Sequence, residues 1–430
     1  MRFVRVSEAA YASFIHSQDR VLFPQLPGAI AVRRGEGFRV DLVGVVEGNK
    51  NSTGDDRERL VAAAAVLYQP WKRVFLRAKV IYGPVLDYSR PELVSFFFKE
   101  LTSFLRADKK VLSLRVNPPL IRNFYDDVTP GEETPEAVQL DEAIANAGGT
   151  RYLKEFYEDN DVQVHYSYVK DLDGMNLQQA MKSTAQAMRT GFNRWGTPGL
   201  TVEYLTPETF DEFIKVYDST TARTGAHDVS ESSYNYYREM QEVAPESVII
   251  PAAYLDCDAY LKGVADERAE ITVKMDDLHK REVDLAAEGK QLSKKQANAR
   301  KEMADRLAVL DKREAETREV QAKAGNKVLL AASYFVVSPN ELLYLLSGAY
   351  EEYQSYFGVY LIHRAMFEYA IENDLRWYNT FGISGIFTPE AFDAGVLHFK
   401  RQFKGNVEEY VGTYDFALRG PMSRVLGSVG

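Results

Sequence analysis

A chain of 430 residues exceeds what one hydrophobic core usually organises, and with 45% apolar residues it predicts two or three folded domains. A formal charge of −10 and a pI near 5.4 exclude a surface that coats nucleic acid generally, so any contact with RNA must come from local basic patches. A lone cysteine, Cys257, excludes a disulfide framework and a cysteine zinc cluster, and no apolar run reaches the roughly 18 residues needed to span a bilayer.

The chain opens MRFVRVSEAAYASF, which lacks the apolar core of a signal segment; a cytoplasmic protein is expected, or one peripheral at the inner face of the cell membrane. Its first forty-odd residues read as strand, helix and two strands: FVRV, the amphipathic EAAYASFIHSQD, then AIAVRR and FRVDLVGVVE, separated by Gly35 and Gly37. After the polar loop EGNKNSTGDD, the run LVAAAAVLYQPWKRVFLRAKVIYGPVLDY predicts strand, loop and strand, ending on Tyr82, Gly83, Pro84 and Val85. Gly83 permits a tight turn there, and Pro84 removes a ladder donor. Residues 91–105 predict a helix, and VLSLRVNPPL a strand that stops at Pro118. Asn117, at its end, is an amide and cannot be a general base. The acidic stretch 126–149, with its proline and glycines, is expected to be a solvated surface loop.

VQVHYSYVKDL predicts a strand crossing into a second domain, and residues 176–195 a single helix carrying Lys182, Arg189 and Arg194. TVEYLTPETFDEFIKVYDSTTARTG then repeats the logic of the opening: a strand, a helix whose start is marked by Thr206, Pro207 and Glu208, and a turn. This repetition suggests a duplicated domain. The aromatic run Tyr234, Tyr236, Tyr237 lies beyond it. Residues 258–324 break the α/β pattern, with no proline and with fifteen basic and fifteen acidic residues. Val264, Ile271, Leu278 and Leu285 recur every seven positions, and after Gly289 a second seam, Met303, Leu307 and Leu310, answers them. The pattern predicts an antiparallel helical hairpin, a coiled-coil arm on the order of 45 Å long.

KVLLAASYFVVSPNELLYLLSGAY predicts two strands around a turn at Ser338, Pro339 and Asn340, and residues 353–373 a long amphipathic helix. The stretch that follows, YNTFGISGIFTPEAFDAGVLHFKRQFKGNVEEYVGTYDF, concentrates more chemically specific residues than any other. Gly382 and Gly385 flank Ile383 and Ser384 after an extended aromatic run, where glycine lets the backbone turn and approach a ligand. Thr388 and Pro389 predict an N-cap and the first residue of a short helix. Phe399, Lys400, Arg401, Phe403, Lys404 and Gly405 interleave three cations with two aromatics, a candidate anion site, and residues 407–416 predict a strand. No histidine or carboxylate is placed by sequence to activate Ser384, which reads as a turn residue or a ligand contact instead of a nucleophile.

Gly382-Ile383-Ser384-Gly385, the run from Gly395 to Gly405, and Glu409, Gly412, Tyr414 and Asp415 resemble, in order and spacing, the C-terminal signature of the Fem family of aminoacyltransferases, which build peptidoglycan cross-bridges. Upstream, Phe14, Ser17, Gln25 and Arg33 fall on the family's F-x-x-S, Q and W-x-x-x-K elements. Tyr82 to Val85 match its G-P turn, Thr220 or Thr221 with Arg223 its T-x-x-R motif, and Tyr344 with Gly348 its aromatic strand before a small-residue element. The chain departs from the pattern where the tryptophan is missing, where Arg33 or Arg34 replaces the lysine, and where Asn117 replaces an aspartate.

The resemblance implies an α/β fold with two acetyltransferase-like mixed-sheet domains, residues 1–165 and residues 166–257 plus 325–415. The arm, 258–324, interrupts the second, and 416–430 is a tail. It implies transfer of an amino acid from aminoacyl-tRNA to an amine on the stem peptide of a lipid-linked or nucleotide-linked peptidoglycan precursor, with no cofactor and no metal. Lys400 and Phe399 are then the catalytic candidates, the lysine's charge facing the ester oxygen as it becomes anionic. Arg33, Tyr82, Thr221, Arg223, Tyr344 and Ser384 are implied to bind the acceptor, with Arg33 and Arg223 at its phosphates, and Arg401 and Lys404 to bind tRNA. The arm is implied to guide tRNA or to contact other bridge-forming enzymes. Two readings stand beside this one. An acyl-CoA-dependent N-acyltransferase of the same fold needs a pyrophosphate cradle at a helix start, and no R/Q-x-x-G-x-G/A run supplies it. A non-enzymatic scaffold would present its coiled coil to cell-wall synthesis proteins.

Overall fold

The computed structural model describes residues 1–48, 58–153, 163–224 and 230–420. Most of the polar loop after residue 47, and all of the tail beyond residue 420, lie outside the described residues. Strand β1 (Arg2–Arg5) leads into helices α1 (Glu8–His16) and α2 (Pro27–Gly35). Strands β2 (Arg39–Glu47), β3 (Arg59–Trp71), β4 (Phe75–Val80) and β5 (Val85–Leu86) precede helix α3 (Pro91–Ala107). Strands β6 (Val111–Val116), β7 (Ile121–Asp126) and β8 (Thr129–Glu133), helix α4 (Pro135–Asn146) and strand β9 (Gly149–Tyr152) complete the first third. Next come β10 (Tyr166–Asp171), α5 (Leu177–Lys182), α6 (Gln186–Phe192), β11 (Leu200–Tyr204), α7 (Phe210–Thr224) and α8 (Glu231–Val243). β12 (Val248–Ile249) and β13 (Pro251–Asp256) deliver the chain to the arm helices α9 (Cys257–Ala287) and α10 (Lys294–Ala324). The last elements are β14 (Lys327–Ser338), β15 (Glu341–Ala349), α11 (Gly358–Glu372), β16 (Trp377–Ile383), α12 (Ala394–Arg401), β17 (Asn406–Tyr410) and β18 (Thr413–Ala417).

The strands form two mixed sheets. The first runs β1-β2-β3-β4-β6-β18-β9 with β5 on β3, and the second β11-β13-β14-β15-β16-β10-β17-β7-β8 with β12 on β14. Among the described residues only β4 with β6 and β15 with β16 pair in parallel; the remaining ladders are antiparallel. The sheets exchange strands: β7 and β8 leave the first for the second, and β18 returns from the second to the first. Where the two crossings meet, Asn117 donates its side-chain amide to Thr413 Oγ1 at 2.7 Å. Asn117 thus joins the crossings.

One face of the first sheet is covered by α3 and α4, and one face of the second by α5, α6 and α11. A third core lies between the halves, where α1 and α2 meet α7, α8 and the second sheet. Gly28 sets the closest approach there: a Cβ at that position would stand 2.3 Å from the Ala244 Cβ, so α2 can lie on α8 only because glycine carries none.

The expected α/β class, the two mixed sheets and the antiparallel arm are all present, with arm helices of 31 residues each. Several local expectations fail. AIAVRR is helix and not strand: Pro27 occupies the first turn, and Ala29, Ile30 and Val32 turn one face inward, so tertiary burial overrides the β-branched pattern. The stretch expected to be a solvated loop forms β8, which is exposed, and α4, whose Ala137, Leu140, Ala143 and Ile144 enter the first core at helical spacing. Residues 176–195 are two helices, broken where Ser183 and Thr184 bond back to the preceding turn and the Ala185 N–H turns to the Gln402 carbonyl. The helix expected at Thr388 begins instead at Ala394 after Asp393, the helix expected from 353 begins at Gly358, and the strand expected over 407–416 is two strands in different sheets.

Candidate active site

α7, β15, the segment leading into α11 and one side of α12 enclose a cleft of about 970 Å³. On α12 the spacing of Val396, Phe399, Lys400 and Phe403 puts all four on one face. The turn after the helix can pass close to β10 because Gly405 carries no side chain: a Cβ there would come within 2.2 Å of the Val169 carbonyl oxygen. Phe399 and Lys400 line the cleft, together with Arg223 from α7, Tyr344 from β15 and Thr380 from β16. Phe403 lies behind them, its ring stacked on Tyr378 at 5.7 Å.

Lys400 is 6% exposed, and its Nζ donates to the carbonyls of Phe381 at 3.0 Å and Gly382 at 2.6 Å. Burial pushes its pKa down to about 7 against the opposing pull of Asp393. An ammonium has three donors, and among the described residues these two carbonyls take two of them. Behind Tyr344 and Phe399 sits His363, wholly buried, its Nδ1 2.6 Å from the Tyr378 hydroxyl. Burial lowers it to about 3, so this histidine stays neutral at physiological pH. Tyr344 is pushed up to about 12 by burial and stays protonated. Arg223 reaches Glu351 only at 3.6 Å, a loose pair that leaves the guanidinium open to a ligand.

The remaining sequence candidates are placed elsewhere. Arg33 is bonded to Glu36 at 2.8 Å and lies 4.0 Å from the centre of the Tyr236 ring, in a separate cavity of about 130 Å³ between the halves. Tyr82 is buried, its hydroxyl donating to the Val164 carbonyl at 3.2 Å. Thr221 is buried and bonds within its own helix, to Asp218 O at 3.1 Å. Ser384 Oγ donates to Asp393 Oδ1 and its N–H to Oδ2, both at 2.7 Å, so this buried serine ties the glycine turn to the start of α12. Arg401 is paired with Asp127 on the outer side of α12, and Lys404 is exposed at the helix end with φ +57°. Sequence reasoning missed Thr380, which lines the cleft while donating to the Tyr168 carbonyl at 2.8 Å, and Asp393, whose partners lie nine residues back. The Tyr236 platform under Arg33 was visible only as part of an aromatic run.

The model of the FemAB family matches residues 6–425. "Aminoacyltransferase FemA" of Staphylococcus aureus strain MRSA252 is 28% identical over 430 residues, covering 98% of this chain and 96% of the relative. The protein of the same name from strain N315 is 27% identical over the same span. Among solved structures, the crystal structure of FemX superposes with a TM-score of 0.78 at 15% identity and covers 99% of both chains, which establishes a shared fold.

Proposed function

The chain belongs to the FemAB family, and from that premise we propose that it transfers an amino acid from aminoacyl-tRNA to an amine on the stem peptide of a peptidoglycan precursor. The observation that carries this reading is Lys400: a buried cation at a cleft wall with one donor unspent. The amine attacks the ester carbonyl, a C–N bond forms, and the carbonyl oxygen becomes anionic. The remaining Nζ–H of Lys400 stabilises that oxyanion in a site from which most water is excluded. Collapse breaks the C–O bond to the ribose, and the proton lost by the amine ends on the ribose hydroxyl. Phe399, packed against the rings of Tyr360 and Phe403, lines the cleft next to the lysine.

Arg223 takes an acceptor phosphate in the same cleft, with Tyr344 forming the wall beside it. Arg33, held flat on Tyr236, serves the acceptor from the cavity between the halves. Tyr82, Thr221 and Ser384 line neither cavity, and their polar atoms are bonded within the protein, so their part is to hold the framework around the acceptor. The donor approaches along the outer side of α12, past Arg401 and Lys404. It is also guided by the arm, where Lys290, Lys294, Lys295, Arg300 and Lys301 stand near the tip with no acidic residue between them. Among the described residues no helix is long and apolar enough to cross a membrane, so a lipid-linked acceptor is met by peripheral contact.

Incubation with a mixed pool of charged tRNAs and with both lipid-linked and soluble precursors, followed by mass analysis, tests the reading directly. The expected product is a precursor heavier by one amino-acid residue, formed only with charged tRNA. Absence of such a product with every precursor refutes the proposed activity.

A further inference from the structure

A run of hydrogen bonds connects the first half of the molecule to the carbonyl that holds Lys400. Arg20, between α1 and α2, donates to Glu341 Oε1 through Nε at 2.8 Å and Nη2 at 2.6 Å, and to Glu408 Oε2 through Nη1 at 2.7 Å. Glu341 Oε1 also accepts the Asn379 side-chain amide at 3.0 Å. Asn379 Oδ1 then accepts the N–H of Phe381 at 2.7 Å. Phe381 stands at φ +62°, a left-handed conformation that a phenylalanine keeps only when its surroundings impose it. The carbonyl of this same residue is one of the two acceptors of Lys400 Nζ.

Buried polar groups need partners, and that need alone would account for any single link. It does not account for the arrangement. Asn379 and Glu341 are fully enclosed, and Asn379 spends one end of its amide on the interface carboxylate and the other on the peptide of a strained residue two positions ahead. A shift of that N–H moves the Phe381 backbone and so the carbonyl one peptide further on, and with it the direction of the lysine donor left for the cleft.

We propose that Asn379 and Glu341, anchored across the interface by Arg20, are positioning residues for Lys400: they hold the Phe381 peptide so that its carbonyl aims the lysine's remaining donor into the cleft. This rests on the role given to Lys400 above, and the test separates the two. The first variant is N379L, which keeps the side-chain branching and heavy-atom count and removes both hydrogen bonds. The second is E341Q, which keeps the acceptor for Asn379 and removes only the charge. Protein labelled with ε-13C-lysine reports the titration of Lys400, identified by the resonance lost in K400M. Wild type should titrate near 7. In N379L the ammonium stays buried but loses an acceptor, so its midpoint should fall by about half a pH unit or more, with a smaller shift the same way in E341Q. With tRNA and precursor present, kcat of N379L should fall about 10–100-fold while both KM values hold within about twofold, as expected of misaimed machinery with intact binding. Q241L, which removes the buried bond from Gln241 to the Leu205 carbonyl, controls for destabilisation and should leave the Lys400 midpoint in place. An unmoved midpoint in N379L, or one that rises toward 10 because water has entered, overturns the positioning role. Undiminished kcat in K400M refutes the catalytic role of the lysine instead, and the titration still decides the positioning question.

Discussion

Burying an ammonium in a cleft wall costs free energy that a methionine would not incur, so the pH at which Lys400 releases its proton is its most informative property. Its folded pKa, about 7, lies below that of a free lysine, so the burden on stability is present at neutral and acidic pH and lapses as pH rises toward 10. K400M should therefore melt at or above the wild-type temperature while kcat drops about 10²–10³-fold, the scale of losing one oxyanion donor. For the same reason, wild-type kcat should decline as pH rises through about 7 and the ammonium is lost. A rising limb there would mean that the neutral amine acts as a base. R223A should weaken precursor binding by about 1.5–3 kcal/mol in calorimetry with little change in melting temperature, because its ion pair among the described residues is the loose contact to Glu351. Lys400, Phe399, Tyr344 and Arg223 were all legible in the sequence, being embedded in spaced blocks that fix residue type. Thr380, Asn379 and Asp393 were not, because alternation along a strand shows which face a residue takes and says nothing about its partner in another element.

α9 and α10 leave and re-enter the second sheet side by side, with the Cys257 N–H donating to the Asn326 carbonyl at 2.9 Å. A short Gly/Ser turn can therefore replace residues 258–324 without pulling β13 from β14. The seam is buried only in its basal half, at Val264, Ile271 and Leu310, while Leu278 and Leu285 are half-buried. That gradient fits a limb whose tip meets something other than itself. If the arm guides tRNA, its deletion should raise the donor KM about tenfold or more, flatten its salt dependence and leave precursor affinity alone. Unchanged donor kinetics would assign the limb to another partner. The arm was the easiest element to read, since a seven-residue repeat over two long helices has no strand alternative. α2 and α4 were misread because short amphipathic segments of mixed composition suit strand, loop or helix, and only the neighbours they bury against decide.

Two α/β halves were foreseeable, but the strand exchange between them was not, since nothing local distinguishes a strand that stays in its sheet from one that leaves it. The exchange and the Arg20 cluster make the halves one cooperative body. Burial works against the charge of Arg20, but Glu341 and Glu408 outweigh it; burial also lifts Glu408 above the ordinary carboxylate range against the pull of Arg20. R20M should cost about 3–5 kcal/mol in urea denaturation by stranding two carboxylates, and E408Q in the same chain should restore part of it. Unfolding should follow a single transition by circular dichroism and by tryptophan fluorescence. The exchange also dictates a schedule on the ribosome. β18 pairs with β6 and β9, and Asp415 meets Arg115 across 300 residues of sequence. At about 5–20 residues per second, the edges of β6 and β9 wait for their central neighbour for roughly 15–60 s of synthesis. During that interval the nascent chain carries two unpaired strand edges, the usual invitation to misassociation. A slow stretch of translation before residue 413 lengthens that exposure, so the soluble yield of this protein should fall when chaperone capacity is reduced, a dependence that a chaperone-depleted translation extract would reveal.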